Sequence, residues 1–222
     1  MLLVPAQDAP VDPAAAGQKL AQQLRSAAPD ENSEIHGTLH IRAGDTRTNI
    51  PIVCKVEVAD GSWRTVYETG SGCLIVVHFT NGPNQYFEAQ PGGLTNALPS
   101  GHADIPLAGS DFSLADLGLD FLHWPKQEER KGEMRLGQPC YVLDSSNPSA
   151  AGTLTRVRSF IDKQSGGIIL ADAYDAAGRI VKEFSLHGSF FRKVRGQWRL
   201  EKMEMTDKQK HSQTILQFDT SP

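Results

Sequence analysis

Most of the chain alternates apolar and polar residues with a period of two, which is typical of strands that bury one face. In the first such segment Ile35, Leu39 and Ile41 alternate with polar residues. Similar segments follow, and short polar turns such as Asp60-Gly61 and Asn81-Gly82 separate them. The pattern predicts a mainly β protein of antiparallel strands, about five before residue 91 and about eight after residue 127.

Two segments depart from this alternation and predict short helices. Gln18 to Ala27 places Leu20 and Leu24 on one helical face, after a Pro- and Ala-rich stretch, residues 1–16, that we expect to be a flexible leader. Phe112 to Trp124 is rich in leucine and aromatic residues. The segment has Ser113 as its predicted cap, Gly118 as a break and Pro125 as the stop.

Two further stretches carry specific expectations. Residues 91–109 lack periodicity, which predicts a long loop that acts as a lid or a binding element. Residues 73–79 are almost continuously apolar, which predicts a strand covered on both faces.

A sheet with one apolar face must bury that face against another layer. Because few residues have a helical pattern, the expected fold is a mainly β (α+β) domain, residues 17–222. In it, short helices cover a strongly curved antiparallel sheet, a half-barrel. A chain of 222 residues is long enough to bury such a core as one domain.

Charge and composition exclude several classes of protein. The formal charge of −4, without a run of Lys or Arg, gives no footprint for nucleic acid. No stretch approaches the roughly 20 apolar residues that span a bilayer. The first residues, Met1 to Gln7, resemble the end of an export signal, and a frayed N-terminus is the alternative.

Residues with catalytic or metal-binding side chains do not form a recognisable site. There is no GxSxG elbow, and Gly70-Ser71-Gly72 precedes a predicted strand instead of a helix. His36 and His40 would lie roughly 13 Å apart along one strand, too far to share a metal ion. Cys54 and Cys73 could pair across neighbouring strands, or stay as small core residues. We therefore expect neither an enzyme nor a cofactor or metal site.

Five motifs follow one another between Phe112 and Phe218: the helical segment Phe112 to Leu117, Gly137-Gln138-Pro139-Cys140-Tyr141-Val142-Leu143, Phe160-Ile161-Asp162-Lys163, Tyr174-Asp175-Ala176-Ala177-Gly178 and Met203-Glu204-Met205-Thr206-Asp207. In these motifs and their order, this half of the chain resembles the LolA-like outer-membrane lipoprotein-sorting family. One departure is Gly166-Gly167-Ile168-Ile169, where the family has a Leu-Pro pair.

The resemblance implies a non-catalytic periplasmic carrier that holds acyl chains or a lipidated protein in an apolar cavity. We expect the carrier to be a monomer. Such a cavity needs no cofactor, since each buried CH₂ contributes about 0.8 kcal/mol. The candidate lining residues are Val77, Phe79, Leu117, Phe121, Leu122, Trp124 and Tyr141. The alternative is an envelope module that binds or senses other proteins with the same fold and without lipid.

Overall fold

The computed structural model describes residues 12–89, 95–99, 102–147, 154–186, 191–194 and 197–219. The helical elements are α1 (Pro13–Arg25), the 3₁₀ helix η1 (Leu107–Gly109), α2 (Leu114–Leu117) and the 3₁₀ helix η2 (Asp120–His123). The strands are β1 (Ser33–Ala43), β2 (Thr46–Ala59), β3 (Ser62–Thr69), β4 (Gly72–Phe79), β5 (Gln85–Ala89), β6 (Thr95–Ala97), β7 (Lys126–Arg135), β8 (Gln138–Ser146), β9 (Arg156–Asp162), β10 (Ile168–Tyr174), β11 (Ile180–Ser185), β12 (Phe191–Val194), β13 (Gln197–Leu200), β14 (Lys202–Asp207) and β15 (Ser212–Phe218).

Thirteen of these strands form one antiparallel sheet in the order β6-β5-β4-β3-β2-β1-β15-β14-β11-β10-β9-β8-β7. The strands β12 and β13 form a separate two-stranded hairpin. The sheet joins the two halves of the chain where β1 pairs with β15, with Leu39 opposite Leu216. The predicted mainly β fold with antiparallel neighbours and few helices is confirmed.

The sheet is open but must curl around its cover. Tyr86 on β5 donates a hydrogen bond to Asp120 of η2 (2.9 Å), and Leu122 of the same turn lies in a buried cluster with Leu143 on β8. Nine strands separate β5 from β8 in the sheet order. On a flat sheet they would lie about 48 Å apart at the usual strand spacing. One short turn contacts both strands only because the sheet curves around it.

In the strand order given above, the left half of the sheet runs from β6 to β1 and the right half from β15 to β7. The larger core lies between the left half and the segment from η1 to α2. Its sheet side includes Leu39, Ile52 and Val76, and its cover side includes Phe112 and Leu114. All five side chains are at most 2% exposed, so this part of the interior is filled by the protein's own side chains.

The helix α1 packs against β7 and begins earlier than the sequence predicts. Asp12 accepts a hydrogen bond from the backbone N–H of Ala14 and caps the helix, and Pro13 occupies its first turn. Residues 13–16, assigned to the leader, are therefore helical, because alanine favours a helix once a cap is present. Residues 1–11, with the proposed export signal, lie outside the described residues.

Three other expectations are wrong. Residues 91–109 do not form a plain loop, since they include β6 and η1, and Ala103 and Leu107 are buried. The strand β4 is not covered on both faces, because only Leu74 and Val76 are buried along it. The predicted strand Gln197 to Thr206 is divided into β13 and β14, which belong to different sheets.

The three cysteines are free thiols. Cys54 lies on β2 and Cys73 on β4, and β3 lies between these strands. Of the two alternatives, the cross-strand pair therefore does not form, and Cys54 is a small buried core residue. Burial raises the pKa of the Cys54 thiol to about 12, which keeps it protonated and unreactive at neutral pH.

The close approach of α1 to β7 gives the first prediction. A Cβ on Gly17 would lie 2.6 Å from backbone atoms of Gln127 and Glu128, which cannot move freely. Gly17→Ala should lower the free energy of unfolding by about 1 to 3 kcal/mol, although alanine usually stabilises a helix. Urea unfolding measures this, with exposed Gln23→Ala as the control. A stabilised Gly17→Ala protein would show that this contact is not tight.

Candidate functional site

The segment over the concave face of the sheet, residues 107–124, is called the cover below. Ser113 and Asp116 form a capping box that starts α2, and the chain breaks at Gly118, as the sequence predicts. Leu119 then adopts a left-handed conformation (φ 51°) that redirects the chain into η2. These local turns place the apolar residues of η2 against the right half of the sheet.

A buried polar cluster fastens the first part of the cover to β15. The carboxylate of Asp111 accepts hydrogen bonds from the hydroxyls of Ser212 and Thr214 (2.8 Å from Thr214), and its backbone N–H donates to Thr214. Lys182 on β11 adds an ion pair to Asp116 at 2.8 Å and donates to the backbone oxygen of Asp111. Because Asp111 is only 5% exposed, its carboxylate depends on these donors.

Other hydrogen bonds fasten the second part of the cover at both edges of the sheet. On the left, Tyr86 donates to Asp120 and Asn84 donates to the backbone oxygen of Gly118 (2.6 Å). On the right, the buried side-chain amide of Gln127 donates to the backbone oxygens of Phe121 and Trp124, and Arg25 donates to that of Leu122. The cover is thus held by a few polar contacts at separate places.

The right half of the concave face has an apolar region that is less well covered, and we call it the trough. Its floor consists of three small or medium side chains, Val157, Ala171 and Ala173, which are buried. The larger hydrophobic residues around this floor are only partly buried: Phe121, Trp124, Leu154, Ile168 and Phe184. Small floor residues beneath partly exposed aromatic side chains give a surface that can accept further apolar groups.

The contact between β3, β4 and η2 contains two histidines. The ring of His78 stacks on Trp63 with 4.8 Å between centroids. Burial and the nearby His123 together lower the pKa of His78 to about 4, against a hydrogen bond with Asn84 that raises it. Burial also lowers the pKa of His123. Both rings are therefore neutral at neutral pH, and the ring of His78 packs against Trp63 as an aromatic group.

The structure separates the seven residues predicted to line a cavity. Leu122 is buried beside Leu143, and Phe121 and Trp124 border the trough. Leu117 packs against the larger core. The other three, Val77, Phe79 and Tyr141, do not lie in the trough.

Strand alternation places Val77 and Phe79 on the face of β4 that points away from the core. Residues 74 and 76 of β4 point into the core, so residues 77 and 79 point to the opposite face. Tyr141 is 39% exposed, and the ammonium of Lys163 lies 4.6 Å from the centre of its ring. Sequence alternation identifies two faces of a strand but does not tell which face is inside when both are apolar.

Two open depressions of the described surface lie outside the cover. One, of about 470 Å³, is bordered by His36, Thr38, Pro51 and Glu68, and the other, of about 390 Å³, lies beside Phe79 and Gly82. Their mixed polar and backbone lining does not suit an acyl chain. The trough is therefore a better candidate, although it is a surface instead of a closed cavity.

Within the described ranges, no group of three or more His, Cys, Asp or Glu side chains is arranged to hold a metal ion. Among the same residues, no helix is both long and apolar enough to cross a bilayer.

Comparison with known proteins identifies relatives in sequence and structure. A family model with the description "Uncharacterized protein" matches residues 76–221, well over half of the chain. No curated protein matches the sequence.

Several crystal structures resemble the chain over nearly its whole length. A DUF1329 family protein from Desulfovibrio piger has a TM-score of 0.74 at 18% identity, over 95% of this chain and 92% of that one. A putative outer membrane lipoprotein-sorting protein domain from Vibrio parahaemolyticus has a TM-score of 0.76 at 18% identity, over 94% of each chain. The LolA superfamily protein NE2245 from Nitrosomonas europaea has a TM-score of 0.61 at 14% identity, over 93% and 91%. At these identities the likeness shows the fold, which is LolA-like as the motifs predicted.

The Asp111 cluster gives a prediction for the cover. Asp111→Ala removes the acceptor for two buried hydroxyls and should lower the free energy of unfolding by about 2 to 4 kcal/mol. Asp111→Asn keeps one acceptor and should cost less. Chemical denaturation checks both, and Asp30→Ala at an exposed position is the control. Equal stability of all three variants would contradict a fastening role for Asp111.

The depressed pKa of His78 predicts a dependence of stability on pH. The unfolded chain protonates this histidine near pH 6.5, whereas the folded protein does so near pH 4. Stability should therefore fall by about 2 to 3 kcal/mol as the pH decreases from 6.5 to 4. Urea unfolding at pH 7.5 and 4.5 measures the loss, and His78→Gln should show a smaller one. An unchanged loss in that variant would assign the effect to other groups.

Proposed function

We propose that this chain, which belongs to the family whose "Uncharacterized protein" model matches residues 76–221, is a non-catalytic periplasmic carrier of acyl chains or lipidated proteins, of the kind used in outer-membrane lipoprotein sorting. The observation that carries the proposal is the trough: an apolar floor of Val157, Ala171 and Ala173 inside a LolA-like curved sheet. The carrier acts as a monomer without a cofactor.

The chemistry of the trough suits an acyl chain. Its borders are apolar and aromatic, and its floor consists of small or medium apolar side chains. Hydrocarbon binding needs only such a surface, because the driving force is the removal of apolar area from water. No directional hydrogen bond to the hydrocarbon is required.

A long chain would need more room than the trough offers while the cover is closed. The second part of the cover is held by the burial of Leu122 and by hydrogen bonds from four side chains, Tyr86, Asn84, Gln127 and Arg25. The burial of Leu122 contributes about 2 to 3 kcal/mol. Each hydrogen bond contributes on the order of 1 kcal/mol. Burial of a chain of roughly twelve CH₂ groups contributes about 10 kcal/mol. Bound lipid can therefore offset displacement of the cover.

Filling the trough tests the proposal. The double variant Ala171→Leu with Ala173→Leu should bind a fluorescent long-chain fatty acid roughly tenfold more weakly, because the added side chains occupy its place. Val77→Leu adds a methylene on the opposite face of the sheet and is the matched control. Fluorescence titration measures the affinities, and circular dichroism confirms folding.

Lipid extraction complements this titration. Organic extraction of the purified protein followed by mass spectrometry should recover a co-purified lipid from the wild type and less from the double variant. Wild-type protein that carries no lipid and binds no fatty acid would reject the carrier. That outcome would favour the alternative envelope module that binds or senses proteins on the same fold.

A further inference from the structure

The end of the sheet formed by the β7–β8 turn exposes large apolar side chains. Met134 is 61% exposed, Leu136 50% and Tyr141 39%. They lie on one hairpin, in which Met134 pairs with Pro139 and Tyr141 follows two residues later. Soluble proteins expose single apolar residues commonly, but three on one hairpin tip form a small projecting patch.

The backbone of this tip makes leucine an unfavourable residue at position 136. Leu136 (φ 50°) and Gly137 (φ 78°) are both left-handed and connect Arg135 directly to Gln138, as in a type I′ turn. Such turns favour Asn-Gly, since a leucine side chain is strained at positive φ. Leu136 is also half exposed and gains little from burial. Neither the turn conformation nor burial in the fold therefore explains why a leucine occupies position 136.

Positive charges border the apolar tip. The guanidinium of Arg135 lies 4.5 Å from the centre of the Phe160 ring, and the ammonium of Lys163 lies over Tyr141. Lys131 is exposed on the same hairpin. Two acids are also near: Glu133, which pairs with Arg135, and the buried Asp162, which accepts hydrogen bonds from its own turn. The exposed charge beside the tip is mainly positive.

We propose that the β7–β8 tip, with the basic residues Lys131, Arg135 and Lys163 beside it, forms a membrane-docking end that binds the surface of an anionic bilayer. Met134 and Leu136 enter the interfacial layer, and the basic residues contact lipid phosphates. A single apolar contact binds a membrane weakly, so a second electrostatic signal is needed for stable association. The inference goes beyond acyl-chain carriage and does not depend on it.

Charge favours a lipid surface as the partner. The chain as a whole has a formal charge of −4, yet this end is positive, so an anionic surface orients the molecule with this end forward. The apolar patch is a narrow projection of three side chains. A stable protein interface usually buries about 800 Å² per partner on a broad and complementary surface. A bilayer accepts a narrow apolar projection without such complementarity.

Vesicle flotation tests the proposal with a variant designed to keep the fold. The wild type should float with vesicles of phosphatidylcholine and phosphatidylglycerol at low salt, and not with phosphatidylcholine alone. Met134→Ser with Leu136→Asn should lower this binding about tenfold. Asn suits the left-handed turn position, so the melting temperature should not fall. Ile180→Ser, at an exposed apolar residue of the opposite end, should bind as the wild type.

A second variant tests the charges separately. Lys131→Gln with Lys163→Gln, at two exposed positions beside the tip, should weaken binding to anionic vesicles about tenfold and reduce its dependence on salt. The proposal is overturned if the wild type does not float, if it floats equally with both vesicles, or if neither double variant weakens binding. The trough variant Ala171→Leu with Ala173→Leu should dock normally. Loss of its fatty-acid binding alone would therefore leave the docking end intact, and the two proposals can fail independently.

Discussion

The whole fold depends on the burial of one wide apolar face by a very short cover. Thirteen strands present this face, while the cover contributes only residues 107–124 and α1 adds a further layer at one edge. Since η2 contacts both β5 and β8, the sheet has to curve until its two halves share the cover. Curvature thus replaces the additional helices that a flat sheet of this width would need.

Apolar contacts alone do not fix the position of such a short cover, because the hydrophobic effect is not directional. Asp111 provides a specific anchor, since its carboxylate satisfies two hydroxyls of β15 that would otherwise be buried without partners. Buried polar contacts add modest net stability but penalise any other position of the segment strongly. The Asp111 anchor therefore fixes the position of the cover over the left half of the sheet, where the core is filled. Over the trough the cover is less completely packed.

The strands were predictable from the sequence because each strand buries one face, so its apolar residues repeat every second position. The sequence did not predict which face is inside: Val77 and Leu74 are both apolar, and only pairing in the sheet distinguishes them. The trough was missed for a related reason, since Ala171 and Ala173 differ from neighbouring strand residues only by their small size. The Asp111 anchor joins positions about a hundred residues apart in sequence, and no local pattern reveals such a contact. The five ordered motifs did indicate the fold correctly.

The same curvature determines where functional surfaces are available. Side chains at the centre of the concave face are used for packing, as with Leu39 and Phe112. Groups that are free to bind other molecules must then lie where the cover ends or where hairpins extend past the sheet. The trough is a surface of the first kind and the β7–β8 tip is one of the second. Leu136 illustrates the principle, because its backbone conformation disfavours leucine and its exposure gives no folding gain. A residue that opposes local preference without a compensating contact in the fold is best explained by a contact with a partner.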